Sequence, residues 1–176
     1  KGDLKIAVLG LITPSIPKWL PERVYSNIVF EDMVTSAEKW VRTIEEQVNP
    51  DLMIGLFHTG YGQTTHVEKQ ENAAYAIGNE VKGLDYIFYG HDHNKKVKTI
   101  HNKHGKQVTL INGGPDASYA VSLDLDLEKT GENFHVSNQE VSFVDLSKYR
   151  PTRRFEQKFN KYAAEIQAYV DEEVAF

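Results

Sequence analysis

The sequence predicts a layered α/β fold, and three observations carry that prediction. Three short apolar runs, Leu4 to Gly10, Leu52 to Phe57 and Leu84 to Tyr89, alternate with two segments of helical periodicity. The order strand, helix, strand, helix, strand fits a sheet whose neighbours are joined by short crossovers. Beyond residue 95 the pattern changes to the period-two alternation of hairpins.

Each element has its own local reason. Leu4 to Gly10 is apolar and rich in β-branched residues, and Gly10 opens it into a loop kept irregular by Thr13, Pro14, Ser15, Pro17 and Pro21. Asp32 is a suitable N-cap for a helix whose apolar face is Met33, Ala37, Trp40, Val41, Ile44 and Val48, with Pro50 beyond its end. Leu52 to Phe57 is continuously apolar, as expected of a strand covered on both faces. The Gly-rich, polar stretch from His58 to Glu71 reads as a loop at that strand's C-terminal end, Asn72 to Val81 as a helix, and Leu84 to Tyr89 as a third strand. Four alternating strands follow: Lys96 to His101, Gln107 to Ile111, Ala120 to Leu127 and Phe134 to Val144. Turns at Asn102 to Gly105 and Thr130 to Glu132 separate the members of each pair. From Thr152 a last helix runs to the end, with Phe155, Phe159, Tyr162, Ile166, Tyr169 and Val170 along one side.

With 176 residues, 40% hydrophobic and 26% charged, the chain has the composition of one ordinary globular domain. Its apolar runs fall well short of the ~20 residues that span a bilayer, so no membrane span is expected. A net charge of -5 lacks the basic footprint that a nucleic acid polymer needs, although a small phosphorylated substrate stays compatible where metal ions supply positive charge. Without cysteine, disulfides and thiolate metal sites are excluded, leaving His, Asp, Glu and Asn as possible ligands. The chain opens on Lys1 and enters a strand almost at once, which places the expected N-terminus, with any targeting segment, upstream.

Two of the strands end in histidine: Phe57-His58-Thr59-Gly60 and Tyr89-Gly90-His91-Asp92-His93. Ligands of open α/β sheets gather outside the carboxyl ends of the strands, so separate strands delivering imidazoles to one edge point to a shared site. At i and i+2 of extended backbone, His91 and His93 would share one side while Asp92 points elsewhere. Three converging imidazoles favour zinc, manganese or iron. A lone strand-end histidine such as His58 is more often a hydrogen-bonded structural residue; the combination favours a metal. His66, His101, His104 and His135 carry no expected role, and Gly113-Gly114-Pro115 reads as a plain turn.

These runs, with Leu9-Gly10-Leu11-Ile12-Thr13-Pro14 upstream and Glu71-Asn72-Ala73 between, resemble the later motifs of the calcineurin-like metallophosphoesterases. The branch resembled contains the 5'-nucleotidases and the bifunctional 2',3'-cyclic-nucleotide 2'-phosphodiesterase/3'-nucleotidases. The resemblance implies an α/β/β/α sandwich, incomplete here at its N-terminal side. Residues 1–150 would be the C-terminal half of the catalytic domain, and residues 151–176 a linker helix toward a missing substrate-binding domain. It further implies two divalent ions, zinc or manganese, with His58 and His91 on one and His93 on the other. A metal-activated hydroxide would hydrolyse a nucleotide phosphoester. A periplasmic or secreted location is the family expectation.

The family's earlier motifs, which supply its bridging carboxylate and catalytic histidine, have no match in this chain. Gly78-Asn79-Glu80 lacks the histidine and falls within a predicted helix after His58, so it does not replace them. The resemblance therefore places the catalytic histidine and the missing half-domain upstream, and makes this chain alone a poor catalyst. Two rivals remain: a non-catalytic metal-binding or interaction module of the same fold, and an enzyme for other phosphate or sulfur esters.

Overall fold

In the computed structural model, which describes residues 2–172, β1 (Ile6–Ile12) lies parallel to β2 (Leu52–His58), with Ile6 opposite Leu52 and Ile12 opposite His58. A parallel pair needs a crossover. It begins with a 3-10 turn at Ile16–Lys18 and the single-turn helix α1 (Glu22–Tyr25), where the sequence predicted only an irregular loop. It continues in α2 (Met33–Val48), which begins as expected: the Asp32 side chain accepts a hydrogen bond from the Thr35 N–H at 3.0 Å. At its far end Asn49 takes a left-handed conformation ahead of Pro50. Met33, Ala37 and Val41 are buried, whereas Trp40 and Val48 of the predicted apolar face are half exposed.

The second crossover runs through α3 (Ala74–Glu80) to β3 (Tyr86–Tyr89), parallel to β2. Next, β4 (Lys96–His101) and β5 (Gln107–Asn112) form the expected antiparallel hairpin, and β5 also joins β3 in parallel. The sheet order is β1-β2-β3-β5-β4. A separate two-stranded sheet, β6 (Tyr119–Thr130) with β7 (Asn133–Asp145), turns at Gly131, whose φ of 64° suits glycine. The mixed α/β prediction holds, with element ends shifted by a few residues.

The core lies between α2, α3 and one face of the five-stranded sheet. Leu9, Met53, Phe57, Ile87 and Leu110 pack there against Val34, Ala37, Val41, Ala74 and Ile77. On the opposite face β7 covers part of the sheet: the Tyr86 hydroxyl donates to Gln139 Oε1 at 3.0 Å, and the Gln139 amide reaches Thr109 Oγ1 at 3.4 Å. Toward β1 that face is open. Ile6, Val8 and Ile12 are 51%, 59% and 49% exposed, and Leu56 is 60% exposed. The expectation that β2 is covered on both faces therefore fails at its C-terminal end, where Leu56 is left largely open.

The chain divides into two compact units, Lys1–Val144 and Asp145–Phe176. In the second, Asp145 caps a 3-10 turn at Leu146–Lys148, and the Thr152 hydroxyl accepts from the Phe155 N–H to start α4 (Arg153–Val170). Phe155, Phe159, Tyr162, Ile166 and Tyr169 are exposed along α4. Residues 173–176 of the helix predicted to reach the end lie outside the described residues.

Candidate functional site

The C-terminal ends of β2 and β3 come together as predicted. His58 ends β2, and Thr13 follows β1 beside it, its N–H donating to the His58 carbonyl at 2.9 Å. His91 stands two residues past β3, and its ring meets that of His58 edge to face, centroids 5.0 Å apart. On another side, the indole of Trp19 lies 5.2 Å from the His91 ring at 37°. The remaining contact is polar: His91 Nε2 is 2.9 Å from Glu71 Oε1. Lys18 Nζ sits 4.0 Å from the other oxygen of Glu71.

The backbone of Gly90-His91-Asp92-His93 is not extended. His91 and His93 both take left-handed conformations, with φ of 72° and 56°, which correct the expectation that i and i+2 spacing in a strand would align their rings. Histidine is among the non-glycine residues enriched in that region, yet each such residue still costs about 1–2 kcal/mol. Tertiary contacts hold the turn. Asp92, predicted to point elsewhere, points inward, accepting from the Tyr61 N–H at 2.7 Å and the Asn112 amide at 2.7 Å. His93 is exposed.

The His58 to Ala74 segment is bound to the same corner. Buried Thr59 donates through its hydroxyl to the Glu71 carbonyl and accepts from the Ala73 N–H, both at 2.8 Å. Asn72 Oδ1 accepts from the Gly60 N–H at 3.0 Å. The approach leaves no room for a side chain: a Cβ on Gly62 would lie 1.9 Å from the Asn72 carbonyl oxygen. Farther along this loop, the His66 ring donates to Asp32 Oδ2 at 3.1 Å and the Lys69 N–H to the same oxygen at 2.8 Å. Burial opposes ionisation of Asp32, but hydrogen bonds from the Thr35 N–H, His66 and the Lys69 N–H outweigh it and hold the carboxyl below its usual value. Tyr89, below the site, has its hydroxyl pKa raised by burial first and by the Asp92 charge second.

His58 and His91 are therefore two imidazoles set against one another at this corner, and Glu71 adds a carboxylate beside His91. Among the described residues no group of three His, Asp or Glu is close enough to hold a metal. The roles of Glu71, Asp92, Thr59 and Trp19 were not read from the sequence. Glu71 stands in a motif that by itself assigns it no function, and Trp19 falls in a stretch of prolines that reads only as loop.

This arrangement of sheet, helices and added strand pair is the fold of the calcineurin-like phosphoesterases. The calcineurin-like phosphoesterase YfkN of Bacillus subtilis superposes with a TM-score of 0.78 at 20% identity, over 96% of this chain and 54% of that structure. In sequence, the chain is 24% identical over 153 residues to the trifunctional nucleotide phosphoesterase protein YfkN of Bacillus subtilis (82% of this chain, 10% of the relative). It is 29% identical over 90 residues to a 2',3'-cyclic-nucleotide 2'-phosphodiesterase/3'-nucleotidase of Haemophilus influenzae (51% of this chain, 13% of the relative). No protein-family model matches the chain. The relatives bear out the resemblance to the nucleotidase and cyclic-nucleotide phosphodiesterase branch. The chain spans about a tenth of the length of the curated relatives it matches. No helix among the described residues is long and apolar enough to cross a membrane.

Proposed function

We infer that this chain supplies part of the catalytic domain of a metal-dependent hydrolase of nucleotide phosphoesters, with His58, His91 and His93 as metal ligands. The observation that carries this reading is the meeting of His58 and His91, from two strand ends, at the open edge of the sheet. Two divalent ions, zinc or manganese, would supply Lewis acidity and the activated water for attack on phosphorus. The chain's own part is to hold the imidazoles. Thr59 and Asn72 fix the segment that follows His58, and Asp92 ties it to the turn that carries His91.

Two imidazoles are too few to hold an ion well, so the remaining ligands and the catalytic histidine would come from an N-terminal half-domain. This chain alone would then be a poor catalyst. The apolar stripe of Val8, Ile12 and Leu56 beside His58 is a suitable surface for that half-domain, since exposed apolar patches of this kind mark contact sites. Residues 151–176 would lead to a substrate-binding domain, and a periplasmic or secreted location is the family expectation.

The test is turnover of 5'-nucleotides, 2',3'-cyclic nucleotides and an aryl phosphate by the complete protein with and without His91→Ala. Loss of most activity in the variant is expected. Unchanged turnover would sink the metal-ligand role, absence of turnover by the wild type would select the non-catalytic rival, and preference for the aryl phosphate would sink the nucleotide substrate.

A further inference from the structure

We propose that Glu71 is the positioning residue of His91, holding its ring in the tautomer that presents Nδ1 as the free donor to a cation. The proposal rests on the metal reading above, but its first half concerns the protein alone. An ionised carboxylate can only accept a hydrogen bond, so the 2.9 Å contact between Glu71 Oε1 and His91 Nε2 places the ring proton on Nε2. The lone pair of a neutral imidazole then sits on Nδ1, the nitrogen that Glu71 does not occupy.

Three features make this contact a device for orientation rather than a chance surface pair. First, Glu71 is placed by a second hydrogen bond, since its carbonyl accepts from the hydroxyl of Thr59, the residue after His58. Second, the ring cannot easily turn away, because Trp19 lies 5.2 Å from it on one side and His58 5.0 Å on another. Third, the contact is shielded: the side chains of His91 and Glu71 are 20% and 34% exposed, less than an ordinary surface ion pair. A histidine that ligates a metal commonly gives its other nitrogen's proton to a carboxylate, which fixes the ring and raises its basicity. Glu71 stands where that carboxylate is needed, and it comes from the segment already tied to His58. The two imidazoles are thus set by one loop.

The experiment has two readouts on the full 176-residue chain, wild type, Glu71→Ala and Glu71→Gln. Long-range proton–nitrogen correlation spectra of the metal-free protein report which ring nitrogen of His91 carries the proton. The wild type should show Nε2–H, and Glu71→Ala should lose that preference. A mixed tautomer in the wild type, or the same tautomer in Glu71→Ala, overturns the proposal. The second readout is zinc affinity by competition with a chelating dye, expected to fall about 10- to 100-fold in Glu71→Ala and less in Glu71→Gln, which keeps an acceptor oxygen. Unchanged affinity with a lost tautomer overturns the link to the cation. If the wild-type chain binds no zinc, the affinity series is repeated on the complete protein, and absence of binding there as well removes the metal reading while the tautomer result still decides the role of Glu71.

Discussion

Asp92 shows how much of the corner at the ends of β2 and β3 depends on the residue between the two histidines. Its two oxygens bind the backbone after His58 and the side chain at the end of β5, so one carboxylate joins three segments. It also lies within a turn that holds two histidines in left-handed conformations. Asp92→Ala would leave the Tyr61 N–H and the Asn112 amide without a charged acceptor, and hydrogen bonds to charged groups contribute about 1.5–3 kcal/mol each. We expect Asp92→Ala to lower unfolding free energy by about 2–3 kcal/mol in urea titrations. A change below about 0.5 kcal/mol, the range of ordinary surface substitutions, would show that the corner is held by other contacts.

At the scale of elements, the N-terminus of α2 and the loop after β2 meet at Asp32. The same side chain caps the helix and receives His66 and the Lys69 N–H from the loop. Its pKa is lowered by folding, so its contribution is fully present above the ordinary carboxylate value of about 4 and is lost as pH falls through the lowered folded value. Asp32→Asn keeps a good cap but removes the charge. The stability difference between wild type and Asp32→Asn should therefore be largest near neutrality and shrink on acidification. Urea midpoints at neutral and acid pH check this, and a gap independent of pH would contradict it.

At the scale of the whole molecule, the open face of the sheet is the outstanding feature of the first unit. Burying a Val or Leu side chain fully is favourable by about 1.5–3 kcal/mol, so Val8 and Leu56 would contribute heavily to any contact made there. Substituting both by Lys should leave the melting temperature of this chain nearly unchanged and lower that of the complete protein by several degrees. Equal shifts in both would mean that the face carries no inter-domain contact.

The elements were largely legible in the sequence because their cues are local. Apolar runs, the Asp32 and Thr152 caps and the turns at Asn102 to Gly105 and around Gly131 each rest on residues close in the chain, and each was recovered within a few positions. The edge where His58 and His91 meet also followed, since parallel strands joined by crossovers must align their carboxyl ends. What the sequence could not determine was every feature that depends on contacts between distant segments. Left-handed backbone at His91 and His93 overrides the extended reading of Gly-His-Asp-His. The inward turn of Asp92, the approach of Glu71 to the His91 ring and the placing of Trp19 against that ring join residues 20 to 72 positions apart. By itself the sequence determined the strand order of the chemistry and the residue types that could perform it. Tertiary structure alone decided the orientations, because hydrogen-bond geometry and ring packing exist only once the strands have aligned.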